Sequence, residues 1–420
     1  MKPVKTGILS MAALLVAIFG LSACSSGDQS DAGGEKQIPG VDFDRKIIRI
    51  GALNGESGPA AAIGKPYAVG KRLLVQHVNA GNSGLLPEGW KLELVERDHG
   101  YNPQRSVQMF NEIRDDVLFI ATSFGTPNTL PLRPMLERNN IVAFPASLSS
   151  KMAEFRWTPP VGPSYIVEAQ RAMDWAVKNF GGAEAVKAGV IYQQDDYGKD
   201  GLDGWKLAAA HHNVLLVAEA TYAPGQADYT AAVATLKERG ATHVFLATVP
   251  SATGPILGAA AQLDYAPIWI GNTPSWIDRF FDPDVIPSSI FDSYFLVSGL
   301  PYWGEPSAGM EEFLQLYEAH GKSQSPPDGY ILMSYLQGRV ALEALSRAIE
   351  NKDLSRNGYL RAIHSITNYD VQGTVQYKIN FAKVPYIAGV ETRVLKPDFN
   401  TRSWKVAADF AAPESRVVGK

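Results

Sequence analysis

From Lys46 onward the chain alternates between short runs rich in β-branched and aromatic residues and longer stretches whose apolar positions recur at helical spacing. KIIRIGA reads as a strand, residues 60–80 as a helix, WKLELVERD as a strand and 103–115 as a helix. VLFIAT and IVAF then read as strands on either side of a helix at 127–138. Neighbouring parallel strands need a connection long enough to carry the chain back to the same end of the sheet, and a helix supplies it. The alternation therefore predicts parallel sheets with crossover helices. A proline-rich break, RWTPPVGPSY, interrupts the rhythm. It restarts with a helix at 164–180 and the strands VKAGVIY, NVLLVAEA, THVFLAT and APIWIG, with helices near 200, 230 and 256 between them. Two doubly wound α/β lobes of similar size are the expected architecture.

Beyond Phe291 the pattern changes to a strand, FDSYFLVSG, helices at 307–320 and 328–350, and a strand-rich tail from Asp370. That mixture is too irregular for a separate domain, so the tail is expected to return and complete the two lobes. Several chain crossings between lobes make a hinge.

Composition narrows the function. A chain of 420 residues with 45% hydrophobic and 20% charged residues is ordinary for packed globular structure, which excludes a disordered or fibrous protein. The net charge is only −4 and no long basic run is present, so nucleic acid is not the expected partner. At the N-terminus Lys2 and Lys5 precede an apolar stretch, Gly7 to Leu21, that is short for a membrane span, and then comes Leu21-Ser22-Ala23-Cys24. This reads as an export signal over residues 1–23, and Leu-Ser-Ala-Cys resembles the lipobox of bacterial lipoproteins, in which the cysteine carries the lipid. Losing the signal takes the formal charge from −4 to −6 by removing Lys2 and Lys5. With Cys24 lipidated, no thiol is left for a disulfide, a nucleophile or a metal. Residues 24–44, rich in Ser, Gly, Asp and Gln at their start, read as a flexible tether.

Ligands of open α/β sheets bind beyond the carboxyl ends of the strands. The candidate loops are 53–59, 98–103, 122–128 and 145–150 in the first lobe and 193–198, 248–253 and 271–276 in the second. Catalytic and cofactor motifs fail there. Gly51, Gly55 and Gly58 have the wrong spacing for a dinucleotide turn, and no Gly-Lys-Ser/Thr follows to make a P-loop. Gly55-Glu56-Ser57-Gly58-Pro59 is one position out of register for a nucleophile elbow. His211 and His212 are adjacent and cannot share a helix face to clasp a metal, so solvated surface histidine is the reading for both. The acid pairs Asp115-Asp116 and Asp195-Asp196 read as turn and cap residues. No cofactor, metal or catalytic centre is expected. Phe124, Trp157, Tyr165, Tyr197, Trp276 and Trp303 fall in or near the strand-end loops, and aromatics on facing loops describe a pocket that encloses a small molecule.

An exported chain with two such lobes and the opening IRIGALNGESGPAAAIG resembles the type I periplasmic binding proteins of the branched-chain amino acid branch, the solute receptors of ABC importers. The resemblance runs from about Arg45 through Ser57-Gly58-Pro59, RDHGYNPQRSV, FPASLSS, YQQDDYGKDG and DGYILMSYLQGRVALEAL. It implies a two-lobed trap with three crossings near residues 161, 298 and 385, which makes lobe one 45–161 plus 298–384 and lobe two 162–297 plus 385–420. It also implies that Phe124, Gly125, Thr126, Ala146 and Ser147 hold a ligand carboxylate, with Ser57 at the mouth. Tyr197, Thr248 and Val249 then close from the second lobe, and Tyr165, one of the loop aromatics, joins them as a candidate ligand contact. The family's acid, partner to a ligand ammonium, falls at Thr273 here, which argues against a standard α-amino acid. The resemblance implies a small-molecule ligand, an ABC permease as partner, a lipid-anchored monomer outside the cytoplasm and no enzymatic activity. A tethered sensor for a signalling kinase or chemoreceptor would use the same trap.

Overall fold

The computed structural model describes residues 37–81 and 83–416. The expected signal, Cys24 and most of the expected tether lie outside the described residues. The end of that tether is folded: β1 (Val41–Asp42) pairs antiparallel with β2 (Ile47–Asn54), and Val41 is buried. Residues 41–42, expected in the tether, thus belong to the first sheet, because an apolar Val at 41 finds a sheet edge to cover.

The first lobe continues with α1 (Ala61–Asn79), β3 (Lys91–Asp98), α2 (Pro103–Ile113), β4 (Ile120–Phe124), α3 (Thr126–Thr129), α4 (Arg133–Asn139), β5 (Ala143–Ala146) and α5 (Ser150–Ala153). Its parallel strands run β3-β2-β4-β5, so the order reverses at β2. The helix expected at 127–138 is broken into α3, a 3-10 turn at Leu130–Leu132 and α4, with Pro127, Pro131 and Pro134 each near the start of a piece. Proline lacks the N–H that a helix interior needs, so each one restarts the helix.

The second lobe follows as α6 (Tyr165–Asn179), β6 (Lys187–Gln193), α7 (Asp196–His212), β7 (Leu215–Tyr222), α8 (Thr230–Glu238), β8 (His243–Ala247), α9 (Pro250–Gln262), β9 (Ile268–Asn272) and β10 (Tyr294–Ser298). The chain then forms α10 (Ala308–Leu316), α11 (Gly329–Glu350) and α12 (Arg356–His364), and ends in β11 (Thr392–Asp398) and β12 (Ser403–Ala411). The strand-rich tail expected from Asp370 is shorter than that, with only isolated bridges at Tyr369–Ile379 and Asn380–Ile387 before β11. The second sheet runs β7-β6-β8-β9-β10 in parallel, then adds β11 and β12 antiparallel.

Helix α11 belongs with the first lobe, where it lies along α1. The two helices touch at glycine: a Cβ on Gly70 would sit 2.1 Å from the Ile331 carbonyl oxygen. That close approach seals the first core, which also contains Phe119 stacked on Tyr359 at 4.4 Å. In the second lobe α6 and α7 cover one sheet face, with Trp205 stacked on Phe245 at 5.2 Å. A further apolar cluster joins Ile63, Tyr67, Phe124 and Leu148 of the first lobe to Tyr165, Tyr197 and Val249 of the second. The lobes are therefore closed on each other.

Candidate ligand-binding site

Where the two sheets' carboxyl ends face each other, the chain encloses a cavity of about 40 Å³. Six of the seven candidate loops contribute. Tyr101 comes from the turn after β3; Phe124, Gly125 and Thr126 follow β4; Ala146 and Leu148 follow β5; Tyr197, Val249, Thr273 and Pro274 come from the second lobe, with Tyr165 opening α6. Ala60, Ile63 and Tyr67 from the start of α1, and Tyr330 and Met333 from α11, complete the wall.

The first-lobe side is built from backbone and small groups at Gly125, Thr126 and Ala146, flanked by the rings of Tyr67, Tyr101 and Phe124. Gly125 takes φ of 87° between β4 and α3, and a Cβ there would meet the Tyr101 ring at 2.7 Å. Thr126 Oγ1 and Ser147 Oγ are 2.8 Å or less apart, at 2.7 Å, behind the cavity surface. Phe124 sits edge-on to Tyr67 at 6.1 Å and to Tyr101 at 6.3 Å. Tyr101 itself has a left-handed φ of 59°, uncommon for a bulky residue, and its amide donates to His99 Nδ1 at 3.0 Å.

The second-lobe side is built from tyrosine hydroxyls anchored to a deeper polar layer. Tyr165 packs edge-on against Tyr197 at 5.0 Å. The Tyr197 hydroxyl lies 2.8 Å from both the Thr248 carbonyl and Asn272 Oδ1. One hydroxyl proton cannot serve both acceptors, and Asn272 Nδ2 is buried without a partner. Exchanging the Asn272 amide O and N resolves both: Tyr197 donates to Thr248, and Asn272 donates to Tyr197. Asp195 caps α7, accepting from the Tyr197 and Gly198 amides at 3.0 and 3.1 Å, and its other oxygen takes Gln193 Nε2.

Thr273 has every polar atom engaged by protein. Its amide and hydroxyl donate to the Glu168 carboxyl, and its carbonyl accepts from the Tyr330 hydroxyl at 2.8 Å. Glu168, one helical turn beyond Tyr165, is fully buried behind this wall, and burial pushes its carboxyl up to about 8. Burial likewise raises Asp200 to about 6; Asp200 accepts from the Ser150 amide of the first lobe at 3.0 Å. Further bonds hold the lobes together: Gln193 Nε2 to Tyr101 Oη at 3.1 Å, Ser251 Oγ to the Pro59 carbonyl at 2.8 Å, and Lys151 Nζ to Asp196 at 2.7 Å. No charged side chain lines the cavity.

Of the residues singled out from sequence, Phe124, Gly125, Thr126, Ala146, Tyr165, Tyr197, Val249 and Thr273 line this cavity. Three do not. Ser57 is exposed and its amide bonds Asp98 at 3.4 Å, because that carboxylate ties together the turns after β2 and β3. Ser147 is buried one layer back against Thr126, and Thr248 turns its hydroxyl to Thr253 at 2.6 Å, offering only its carbonyl to Tyr197. Trp157 lies in the first core, and Trp303 packs on Tyr317 at 4.6 Å. His212 is not a solvated histidine: its Nε2 is 2.6 Å from the buried Asp174, since the end of α7 lies against α6. Sequence reasoning missed Tyr67, Tyr101, Tyr330, Met333 and the supporting Glu168. An acid three residues after Tyr165 on the same face of a predicted helix was the available signal for the last.

A sequence profile described as Periplasmic binding protein matches residues 47–383. The Leu/Ile/Val-binding protein homolog 8 of Brucella melitensis biotype 1 is 22% identical over 349 residues, covering 80% of this chain and 84% of that protein. Among solved structures, the fatty acid ABC transporter substrate-binding protein from Thermomonospora curvata superposes with a TM-score of 0.83 at 23% identity, covering 90% of this chain and 95% of that one. A branched-chain amino acid ABC transporter protein from Thermus thermophilus, with bound valine, gives 0.76 at 18% identity, covering 88% and 97%. The chain belongs to the periplasmic binding protein family, shares the two-lobed type I fold of these structures, and is an extracytoplasmic solute-binding protein.

Proposed function

We propose that the two lobes capture a small organic ligand bearing a carboxylate or amide but no ammonium, and that the closed form delivers it to an ABC permease without chemical change. In this reading the protein acts as a monomer, held at the membrane by a lipid on Cys24. The observation that carries the ligand class is the uncharged wall: five tyrosines line the cavity and no carboxylate does. An ammonium enclosed there would lose its water and gain no counter-charge, a cost of several kcal/mol (~3–5). Glu168 does not supply one, because Thr273 stands between it and the cavity and already occupies its oxygens.

A ligand oxygen, in contrast, has a donor waiting. The Tyr67 hydroxyl is buried in the cavity wall without a partner, and burial holds its pKa well above the ordinary phenol value, so it remains a neutral donor. The T. curvata protein is a fatty acid binder and the T. thermophilus protein holds valine, and these ligands share a carboxylate beside an apolar chain; only valine adds an ammonium.

A thermal screen tests this, since a ligand that binds only the folded form raises its melting temperature. Isovalerate, isocaproate, hydrocinnamate and their amides are compared with valine, leucine and phenylalanine, which have the same skeletons plus an ammonium. The expected result is a rise with at least one deaminated compound and none with its amino acid. A rise with the amino acids alone would overturn the reading.

A further inference from the structure

The cavity between the lobes does not end at its far wall. Thr273, Tyr330 and Met333 form that wall, and the same three residues line a second cavity of about 60 Å³ on the other side. The second cavity is bounded mainly by apolar side chains, among them Trp276, Leu296, Leu300 and Leu395. Two of the three partition residues are fixed, because the Tyr330 hydroxyl donates to the Thr273 carbonyl at 2.8 Å. Met333 is the third; it is partly buried and its thioether side chain has three freely rotating bonds. Met333 is therefore the one of the three that no hydrogen bond holds in place.

We infer that the second cavity is a tail site: the ligand's polar head sits between the lobes while an unbranched hydrocarbon chain passes Met333 to lie against Trp276, Leu296 and Leu300. The ligand class is then a straight-chain monocarboxylate or its amide, longer than the side chain of a branched amino acid. This inference rests on the head-group reading proposed above.

Two acids in the lining of the second cavity add a restriction. Asp278 and Asp328 both line it, and they are bonded through the Asp278 amide, which donates to Asp328 at 3.2 Å. Asp278 also accepts from the Gly329 amide at 2.8 Å, and Asp328 from the Tyr330 amide at 2.8 Å. A chain ending in a second carboxylate would bring a third acid to this pair with no cation among the residues lining the cavity. Dicarboxylates are therefore excluded and a methyl terminus is accepted.

Calorimetric titration of the full mature chain with propanoate, butanoate, hexanoate, octanoate and decanedioate tests the assignment. Affinity is expected to rise about fourfold for each methylene added beyond butanoate, the value of a CH₂ leaving water. Decanedioate is expected to bind at least tenfold more weakly than octanoate. Leu300→Phe and Leu296→Phe fill the second cavity without touching the first; butanoate binding should stay within about twofold while the gain at octanoate disappears. If butanoate binds the wild-type protein and affinity is flat or falls with chain length, the tail site is wrong and the head-group reading stands. If no monocarboxylate or amide binds and leucine does, the head-group reading itself has failed. The wild-type series decides the matter even where a filled variant does not fold.

Discussion

The two sides of the ligand cavity are made of different materials. The first lobe presents Gly125, Thr126, Ala146 and Phe124 flanked by Tyr67 and Tyr101, and its floor is backbone groups and short hydroxyls such as the Thr126–Ser147 pair. The second lobe presents Tyr165, Tyr197 and Thr273, and behind them lie the buried Glu168 and Asp200 and the half-buried Asp195, each raised by desolvation. On the first side, the turn at Gly125 takes its shape from backbone conformation, which pH leaves alone. Shape on the second comes from hydroxyls held by titratable groups. The polar layer behind Tyr165, Tyr197 and Thr273 is therefore the part of the cavity wall that rests on several acids raised by burial.

The first side is broken most severely by a side chain at Gly125. Its φ of 87° strains any L-residue, and a Cβ would lie 2.7 Å from the Tyr101 ring and 2.8 Å from Asn128 Nδ2. Gly125→Val is expected to weaken ligand binding by at least ~1000-fold, read by calorimetry, at every pH.

The second side is sharpened by Glu168→Gln. Glu168 titrates at about 8 in the folded protein against an ordinary 4.5, so between those values the folded state holds a proton that the unfolded state has lost. Stability from this group is complete at low pH and falls as pH rises through the window. Asp200 and Asp278, both near 6, act in the same direction at lower pH. His99 and His243, both lowered to about 4, oppose them between about 4 and 6.5, and Lys71, lowered to about 7, gives a gain above that value. Comparing variant with wild type cancels those shared contributions. Urea unfolding at pH 5 and pH 9 should show the glutamine variant gaining on wild type by on the order of 3 kcal/mol at the higher pH. An unchanged difference would mean Glu168 does not carry the dependence.

Ser57 marks the other end of the scale. Exposed and turned toward Asp98, it lies outside both sides of the cavity. Ser57→Ala should change affinity by less than about twofold and stability by less than about 0.5 kcal/mol, measured by the same titration and unfolding curves.

The alternation of strand and helix patterns was enough to read both sheets and the loops that face each other, because period and turn chemistry are local properties. Eight of the cavity's residues follow from that reading and the family resemblance. Tyr330 and Met333 were not legible: they reach the cavity only because the chain returns to lay α11 along α1, a contact across more than 250 residues that shows in the Lys71 Nζ to Ser334 carbonyl bond, at a separation of 263. Ser57, Ser147 and Thr248 sit in the right loops, yet side-chain direction within a loop depends on bonds to distant partners such as Asp98, Thr126 and Thr253. Glu168 was hidden for a related reason. A buried acid is recognised by its donors, and Thr273 lies 105 residues away in sequence.

In the proposed function an uncharged wall selects against an ammonium. Titrating the protein in one buffer with leucine and with isocaproate, which lacks only that group, measures it directly. Isocaproate binding at least ~10-fold more tightly than leucine is the predicted result; leucine binding as tightly or more tightly would contradict it.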